Sequence, residues 1–447
     1  MAPCPRYLAI DLLCQWQQSE QPIDALLEPR LQEMADARDR SLLKAMVFGS
    51  LRSRGALDWL LGRLSSTPLP RLKPSILQAL RIGAYQLLFL ERVPPAAAIN
   101  STVEAVKKMG QPRWLTGFVN GVLRNVARNR SEFLAALQAG KVPAEALFNH
   151  PAWLLKRWRE RYGEEGMEAI CRSNNQAARL CLRVNTARIT VNDYLSALAA
   201  SNICYERGVY VPEALWLDQA GIITDLPGYE EGWFLVQDEI AQLIASLVVP
   251  FPDGNCLDGC AGLGGKTAIL AGLVPTGGKV VAIEPQPRRQ HLFLENMARL
   301  GLADIALYAG TLGEYAEKGS DDFAAVLIDA PCSGLGVTGR HPDIRWQRQA
   351  IDLPKFQAKQ LAIMKEAAPL VVPGGILVYA TCSIEPEENE AVIALFREEY
   401  PQFVIENAAG SLPPAARHLA DEQGFLRTIP GRHGSDGFFG VRLKRLR

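Results

Sequence analysis

The sequence lacks several features that would assign a protein to a class at once. Its nine cysteines are scattered and include no C-x-x-C pair, which excludes the usual spacing of a zinc site or a redox dithiol. No run of about 18 uninterrupted apolar residues is present, and the first residues show no basic segment followed by an apolar one. Internal repeats and low-complexity segments are also missing. We therefore expect a soluble, cytoplasmic protein without a metal site.

A net charge is missing as well, because 48 lysines and arginines balance 48 aspartates and glutamates. This balance excludes a uniformly basic nucleic-acid coat but allows local patches. Residues 1–130 hold 18 basic and 10 acidic side chains, a surplus of 8. Several of the basic residues are predicted to lie near helix ends, and the basic residues of this part include Arg52, Arg54, Arg81, Arg92, Lys107, Lys108, Arg113, Arg124 and Arg128. We expect these to form either solvated helix faces or a surface that contacts phosphates.

The length of 447 residues exceeds what one hydrophobic core usually supports, and the pattern predicts three domains. Residues 1–135 repeat apolar positions at helical spacing, which predicts an all-α domain. Residues 140–235 include strand-like segments at 180–185 and 214–217, which favours a small α+β module. Residues 236–447 alternate strands with helices, as a doubly wound parallel α/β sheet does.

A glycine-rich segment, NCLDGCAGLGGKT at 255–267, follows a predicted strand and leads into a helix predicted at 267–273. Glycines allow a sharp turn and a close approach to a ligand. The next predicted strand, 279–283, ends in Glu284, 20 residues beyond Gly264, which suits a carboxylate that binds ribose hydroxyls. The pattern predicts a bound adenosine moiety. The residues predicted to hold it are Asp258, Cys260, Ala261, Gly262, Leu263, Gly264, Gly265, Lys266 and Glu284.

Lys266 has two interpretations at this stage. The pair with Thr267 is similar to the end of a phosphate-binding loop, but Cys260 stands where that loop needs its first glycine, so phosphoryl transfer is only an alternative. Lys266 is expected either near a ligand carboxylate or as an exposed residue at a helix start.

Two cysteines each follow a predicted buried strand of the α/β domain. Cys332 comes after the strand at 324–328, and Cys382 comes after the strand at 376–380. Open α/β sheets bind ligands at the carboxyl ends of their strands, so we expect both thiols in one crevice. The pairing points to covalent chemistry on a pyrimidine base.

Three segments resemble motifs I, IV and VI of the RNA 5-methylcytosine methyltransferases: DGCAGLGGKT at 258–267, DAPCSG at 329–334 and YATCS at 379–383. Further segments are similar to the RsmB/Sun/Fmu branch of that family: VQDE at 236–239, RHPDIRW at 340–346 and DGFF at 436–439. The N-terminal part resembles the NusB antitermination domain through GAYQL at 83–87 and VNGVLR at 119–124. The resemblance covers nearly the whole chain. It implies an all-α NusB-like domain, a small α+β linker module and an α/β Rossmann-like class I methyltransferase domain.

The resemblance implies methyl transfer from S-adenosyl-L-methionine to C5 of one cytosine in 16S ribosomal RNA. Cytosine C5 is a poor nucleophile until a thiolate adds at C6, so a cysteine is indispensable. By the resemblance, Cys382 is that nucleophile and Cys332 assists release of the RNA. The reverse order stays open, because DNA cytosine methyltransferases use a Pro-Cys thiolate like Pro331-Cys332. Asp329 is expected to hold cytosine N3 in protonated form and to touch the cofactor, or to cap the next turn.

The chain departs from the family pattern at two positions, besides the mild change of the commoner Asp to Glu284. Leu263 replaces the usual proline of motif I, which restores a backbone N–H and frees φ. Thr311 stands where a carboxylate normally contacts the adenine amino group, and we expect Thr311 or a backbone carbonyl to substitute. Both changes concern the affinity for the cofactor. Ser333, Ser383 and His341 are expected to be turn residues.

The expected partner is 16S ribosomal RNA, free or partly assembled, bound by a monomer through the NusB-like domain and the module around Arg183. A target cytosine must be unstacked to be attacked at C6. Three alternatives remain: transfer RNA as the substrate, a non-catalytic RNA-binding assembly factor, and N-terminal helices that bind a protein.

Overall fold

The computed structural model describes residues 4–19, 21–218, 222–249, 253–319 and 322–446. The chain forms two compact units. The helical unit contains the chain up to Ala177 together with Thr338–Gln349, and the sheet unit contains Ala178–Val337 and Ala350–Arg447. The domain boundaries predicted near residues 135, 140 and 235 stay a prediction. Among the described helices, none combines the length and the apolar character needed to cross a membrane.

The helical unit confirms the all-α prediction for the N-terminal part. Its helices are α1 Pro5–Gln17, α2 Ile23–Gln32, α3 Ala37–Arg52, α4 Arg54–Leu64, α5 Pro74–Phe89, α6 Pro95–Lys108, α7 Arg113–Arg128, α8 Arg130–Gln138, α9 Ala144–Phe148 and α10 Ala152–Asn175. Prolines open α1, α5 and α6, where the missing N–H costs nothing and φ is already helical. The Asp36 carboxylate accepts from the N–H groups of Arg38 and Asp39 at the start of α3. Helix α5 is buried on nearly all sides, so it forms the centre of this unit.

The sheet unit contains two sheets and the remaining elements. These are β1 Leu180–Val184, α11 Val191–Ala200, β2 Tyr205–Arg207, β3 Ala214–Leu217, β4 Phe234–Val236, α12 Glu239–Ser246, β5 Cys256–Asp258, α13 Gly265–Leu273, β6 Val280–Ile283, α14 Pro287–Leu300, β7 Ala306–Tyr308, α15 Leu312–Glu317, β8 Phe323–Asp329, α17 Leu353–Ala367, β9 Val371–Thr381, α18 Glu390–Glu399, β10 Phe403–Glu406, β11 Leu426–Arg427 and β12 Phe439–Arg445. Helix α16, Ile344–Gln347, belongs to the helical unit. The smaller sheet is antiparallel in the order β2-β3-β1-β4, and helix α11 packs against it around Tyr194.

The larger sheet has the order β10-β12-β9-β8-β5-β6-β7. Strands β5 to β9 are parallel, as predicted, and connect through crossover helices such as α13 and α14. Antiparallel strands, which the sequence did not predict, extend the parallel sheet at one edge. Strand β12 runs antiparallel between β9 and β10, and β11 pairs with it, so the sheet is mixed. The reason is that irregular chain with short 3₁₀ turns, rather than a crossover helix, connects β10 to β12.

The order of the parallel strands places a ligand crevice. The chain runs from β5 outward to β6 and β7 and then returns to the other side of β5 to form β8 and β9. The strand order therefore reverses between β5 and β8. Ligands of open α/β sheets bind at the carboxyl ends of the strands that flank such a point.

A short segment of the chain after the 329–334 motif, Thr338–Gln349, is part of the helical unit. The Trp346 indole N–H donates to Leu51 O at 2.7 Å, and Asp343 accepts from Ile23 N at 3.1 Å. Arg345 is fully buried. Its guanidinium donates to the backbone carbonyls of Asn149, Asn174 and Thr338 and to the side-chain oxygen of Asn175. Burial lowers the pKa of Arg345 to about 9, with nearby Arg52 adding to the effect. His341 contacts Asp24 at 2.8 Å.

Candidate active site

The glycine-rich turn joins β5 to α13 at the carboxyl end of the sheet. Gly262 and Gly264 have φ values of 57° and 86°. A Cβ atom on Gly264 would lie 2.5 Å from Met297 Cε, so both the backbone and the space require glycine there. A Cβ on Gly262 would have no neighbour within 4 Å, so the turn is open at that residue. Helix α13 begins at Gly265, two residues before its predicted start.

Leu263 replaces a proline of the family pattern, but hydrogen bonds still hold the turn at both of its ends. Its side chain is 48% exposed, and its carbonyl accepts from Asn296 Nδ2 at 3.1 Å. The N–H of Ala261 donates to Ile283 O at 3.0 Å, which ties the turn to the end of β6. Burial raises the pKa of the Cys260 thiol, so this sulfur stays protonated.

Asp258, the last residue of β5, connects its strand to the first turn of α13. Its carboxylate is 1% exposed and accepts from Thr267 Oγ1 at 2.7 Å and from Cys260 N at 3.4 Å. Burial raises the pKa of Asp258 to about 6, and the Thr267 bond opposes that rise. Both oxygens of Asp258 are therefore used to close the turn.

Lys266 points toward the end of β8 and is not an exposed helix residue. Its Nζ atom lies 2.6 Å from Asp329 Oδ2, and its side chain is 11% exposed. Burial alone would lower the pKa of Lys266, but Asp329 raises it above the ordinary value, so the lysine stays charged. The Asp329 side chain is 31% exposed, which leaves part of the carboxylate accessible. The exposed-residue interpretation of Lys266 is wrong because the turn carries its side chain toward β8.

Glu284 and Thr311 lie after β6 and β7. Glu284 is 3% exposed, and its Oε1 accepts from Gln286 N at 2.8 Å. Thr311 caps α15, since its Oγ1 accepts from Glu314 N at 3.2 Å while Glu314 Oε2 accepts from Thr311 N at 2.7 Å. The Glu314 carboxylate is therefore engaged in the cap at the start of α15. A threonine followed three residues later by glutamate is the signal that identifies such a cap.

The two predicted thiols meet. Parallel pairing sets Asp329 of β8 beside Ala380 of β9. Cys332 lies three residues after Asp329, and Cys382 lies two residues after Ala380. Their sulfurs are 3.2 Å apart. Gly336 N also donates to Cys382 O at 3.0 Å, which joins the two loops. The hydrogen bond to Cys382 and burial raise the pKa of Cys332 well above its usual range. The Cys332 thiol therefore stays protonated, and the geometry of the contact allows either sulfur to be the donor.

A buried carboxylate lies beneath the thiol loops, and sequence reasoning missed it. Glu388 is fully buried and accepts from Ser333 N at 2.7 Å, from the hydroxyls of Ser333 and Ser383 at 2.5 Å each, and from Gln360 Nε2 at 3.0 Å. Burial raises the pKa of Glu388, and the four donors oppose the rise. In sequence, Glu388 stands in the acidic run Glu385–Glu390, which resembles a solvated face, so only packing identifies it. Ser333 and Ser383 are more than turn residues, because each bonds Glu388.

The helical unit carries an open groove of about 760 Å³ between α6 and α7. The residues lining it are polar or basic for the most part: Asn100, Val103, Glu104, Lys107, Gln111, Arg113, Thr116, Gly117, Asn120 and Arg124. Trp114, next to Arg113 in sequence, is 70% exposed. The groove contains three of the basic residues that the sequence marked as candidate phosphate contacts.

The predicted RNA-positioning residues near β1 are engaged within the sheet unit. The Arg183 guanidinium lies 3.6 Å from Glu213 and donates to Gln242 Oε1 at 3.3 Å. Asn185 Nδ2 donates to Gly232 O at 2.9 Å. Both side chains therefore support the small sheet rather than presenting an open basic surface.

Comparison with known proteins assigns each part of the chain. Family models match residues 4–128 (NusB family), 150–224 (Methyltr_RsmF/B-like, ferredoxin-like domain) and 245–444 (16S rRNA methyltransferase RsmB/F). The chain is 35% identical over 449 residues to "Probable ribosomal RNA small subunit methyltransferase B" of Bacillus subtilis, with 98% of each protein covered. It is 34% identical over 440 residues to "Ribosomal RNA small subunit methyltransferase B" of Escherichia fergusonii, again with 98% of each covered.

The solved structure of PH0851 has the same fold, with a TM-score of 0.81 over 100% of both chains at 23% identity. The resemblance inferred from the three motifs and the NusB-like segments is thus confirmed over the full length. The chain belongs to the RsmB/F family of 16S rRNA methyltransferases and is a methyltransferase whose catalytic sheet is preceded in sequence by a NusB-like domain.

Proposed function

We propose that this enzyme methylates C5 of one cytosine in 16S ribosomal RNA through a covalent bond between Cys382 and C6. The observation that carries the proposal is the 3.2 Å separation of the Cys332 and Cys382 sulfurs at the ends of β8 and β9. A methyltransferase that acts on a nucleophilic oxygen or nitrogen has no need of two thiols there. The names of the Bacillus subtilis and Escherichia fergusonii relatives support ribosomal RNA as the substrate.

S-adenosyl-L-methionine is the methyl donor, and when bound it supplies an electrophilic methyl group. The residues of the glycine-rich turn fit this group because the backbone is open at Gly262 and the buried Glu284 carboxylate follows the next strand. The 260–265 turn would hold the donor, and Glu284 would accept from its ribose hydroxyls. Lys266, with its charge kept by Asp329, would face the carboxylate of the donor.

Cys382 acts as the nucleophile in this proposal. The raised pKa of Cys332 keeps a proton on that sulfur, and the S–H group stabilises a thiolate on Cys382. Addition of the Cys382 thiolate to C6 moves electron density to C5, which then attacks the methyl group. Asp329, 2.6 Å from Lys266, would bond cytosine N3 through the accessible part of its carboxyl group.

Cys332 serves the release step. Once Cys382 is bonded to C6, the largest cause of the raised pKa of Cys332 is removed, so its proton can pass to water. The Cys332 thiolate then takes the C5 proton, the electron pair forms the C5–C6 double bond, and the Cys382 thiolate leaves. The pair returns to its starting protonation state.

The groove between α6 and α7 is the proposed contact for the RNA backbone. Arg113 and Arg124 supply positive charge to the groove, whereas Lys107 is paired with Glu104 at 2.5 Å. The 18-to-10 basic surplus of residues 1–130 also favours a polyanion. Such contacts fix the register of the RNA without reading its sequence.

The test is methyl transfer from labelled S-adenosyl-L-methionine to protein-free 16S RNA by wild type, Cys382→Ala and Cys332→Ala. We expect no transfer by Cys382→Ala, and a trapped protein–RNA adduct with Cys332→Ala. An adduct formed only by Cys382→Ala would show that the two thiol roles are reversed. A wild type that modifies neither 16S nor transfer RNA would overturn the proposal.

A further inference from the structure

We propose that Glu388 is a positioning residue that sets the separation of the Cys332 and Cys382 thiols by binding the residue that follows each of them. The catalytic consequence rests on the proposed function. The separation of the thiols itself can be measured without any methyl transfer.

The hydrogen bonds connect Glu388 to both thiol loops at once. Ser333 follows Cys332, and it binds Glu388 through its N–H at 2.7 Å and its hydroxyl at 2.5 Å. Ser383 follows Cys382 and binds the same carboxylate through its hydroxyl at 2.5 Å. Gln360 binds Glu388 Oε1 at 3.0 Å and also donates to Pro331 O at 3.1 Å, so it holds the residue before Cys332.

Only an acceptor with two oxygens suits this position. Each serine hydroxyl already accepts a backbone N–H, from Leu335 at 3.3 Å and from Glu385 at 3.2 Å, so each has its hydrogen left to donate. The two hydroxyl oxygens are 3.3 Å apart, close enough for one carboxylate oxygen to receive both. Ser333 N and Gln360 share the other oxygen. Two donors on each oxygen offset the cost of burying the charge.

The backbone around Glu388 is fixed independently of its carboxylate. Tyr379 of β9 donates its hydroxyl to Glu388 O at 2.6 Å. Asn389 accepts from Thr381 Oγ1 at 2.6 Å and donates to Ser383 O at 3.0 Å. The carboxylate is thus presented from a rigid base, which lets it act as a clamp between the loops.

Such a clamp matters because the hydrogen bond between the Cys332 and Cys382 sulfurs depends on the distance between them. The Cys332 and Cys382 sulfurs share a proton only near their 3.2 Å separation. A displacement of about 1 Å in a reacting group can cost about a hundredfold in rate. Loss of Glu388 should therefore lower kcat more than it changes KM for RNA.

The test uses Glu388→Ala, Glu388→Asp and Glu388→Gln. The direct probe is phenylarsine oxide, whose arsenic binds two nearby thiols with release of one water molecule. The capture that is due to this pair of thiols is the fraction of bound arsenical that disappears in Cys332→Ser. We expect Glu388→Ala and Glu388→Asp to slow this capture at least tenfold, since neither side chain reaches all four donors. They should also lower kcat at least tenfold, with KM for RNA within threefold of wild type.

Glu388→Gln is the conservative variant. Its carbonyl oxygen can still accept from Ser333 N and Gln360, but its amide group cannot accept from the two serine hydroxyls. We therefore expect capture and kcat between those of wild type and Glu388→Ala. The matched control is Glu239→Gln. Glu239 is also buried and accepts from Tyr210 N, Val211 N and Trp216 Nε1, but it touches neither thiol loop.

Unchanged capture by folded Glu388→Ala or Glu388→Asp would overturn the inference, and Glu388→Asp alone decides if Glu388→Ala does not fold. Equal slowing in Glu239→Gln would overturn it too, because the effect would then be general loosening of the unit. If wild type captures the arsenical, the Glu388 variants do not, and wild type transfers no methyl group, the proposed function fails and the positioning role stands.

Discussion

The surroundings of Asp258 predict how its side chain makes the free energy of unfolding depend on pH, in both sign and size. Its carboxylate is 1% exposed and closes the glycine-rich turn through Thr267. Asparagine has the same shape, retains an oxygen for the Thr267 hydroxyl and cannot ionise. Asp258→Asn therefore removes the titration of one buried group and leaves the other titrating groups of the protein in place.

Burial raises the pKa of Asp258 from 3.8 to about 6. The folded protein therefore holds this proton more tightly than the unfolded chain, so the contribution to stability is greatest below about pH 4 and declines as the pH rises through 6. A difference of about 2 pH units at 1.36 kcal/mol each gives a decline of about 3 kcal/mol. The advantage of Asp258→Asn over wild type should thus grow by about 2 kcal/mol between pH 4 and pH 8, because the unfolded carboxyl is already more than half ionised at pH 4.

The measurement is the free energy of unfolding in urea at pH 4, 5, 6, 7 and 8, followed by circular dichroism for both proteins. Asp193→Asn is the matched control, because Asp193 accepts from the Thr190 hydroxyl at 2.6 Å in an exposed position of the same unit. The difference in unfolding free energy between Asp193→Asn and wild type at each pH shows how much an exposed Asp-to-Asn change contributes. A gap between Asp258→Asn and wild type that is the same at pH 4 and pH 8 would refute the reasoning.

Three further predictions concern the site and the groove. Lys266→Met should lower kcat at least tenfold in the methyl-transfer assay, because it leaves Asp329 without its partner at 2.6 Å; Lys266→Arg should restore part of the activity. Gly264→Ala should cost about 1–3 kcal/mol of stability and weaken S-adenosyl-L-methionine binding in calorimetry, since φ is 86° and the new Cβ meets Met297; wild-type affinity would count against it. Arg113→Ser with Arg124→Ser should weaken RNA binding and reduce the slope of log affinity against log salt by about 1–2, with cofactor affinity unchanged; an unaltered slope would exclude phosphate contacts in the groove.

The local pattern of the sequence was sufficient for the all-α part and for the main parallel strands of the α/β part. Helical spacing of apolar residues predicted the all-α part, and short apolar runs predicted β8 and β9. Motif spacing placed Cys332 and Cys382 after neighbouring strands, so their meeting could be foreseen from the rule that parallel strands end at one edge. These features depend on residues close in sequence, where the spacing of apolar side chains distinguishes a helix from a strand.

Other features depended on packing between distant segments. An antiparallel β12 made the sheet mixed, although nothing in the local pattern of residues 439–445 states which strand they join. Thr311 or a backbone carbonyl was expected to contact the adenine amino group, which stays a prediction, and packing showed that the Thr311 hydroxyl caps α15. Lys266 had two interpretations, and its contact with Asp329, 63 residues away, excluded the exposed one.

The sequence by itself determined that this protein is a methyltransferase with two cysteines after neighbouring strands, because the motif residues and their spacing are written in the chain. Only the tertiary structure decided how that chemistry is held in place. Glu388 is one of several acidic residues in a polar run until folding buries it against Ser333 and Ser383. Burial and a separation of a few ångströms are properties of the folded packing, which brings together groups that lie tens of residues apart.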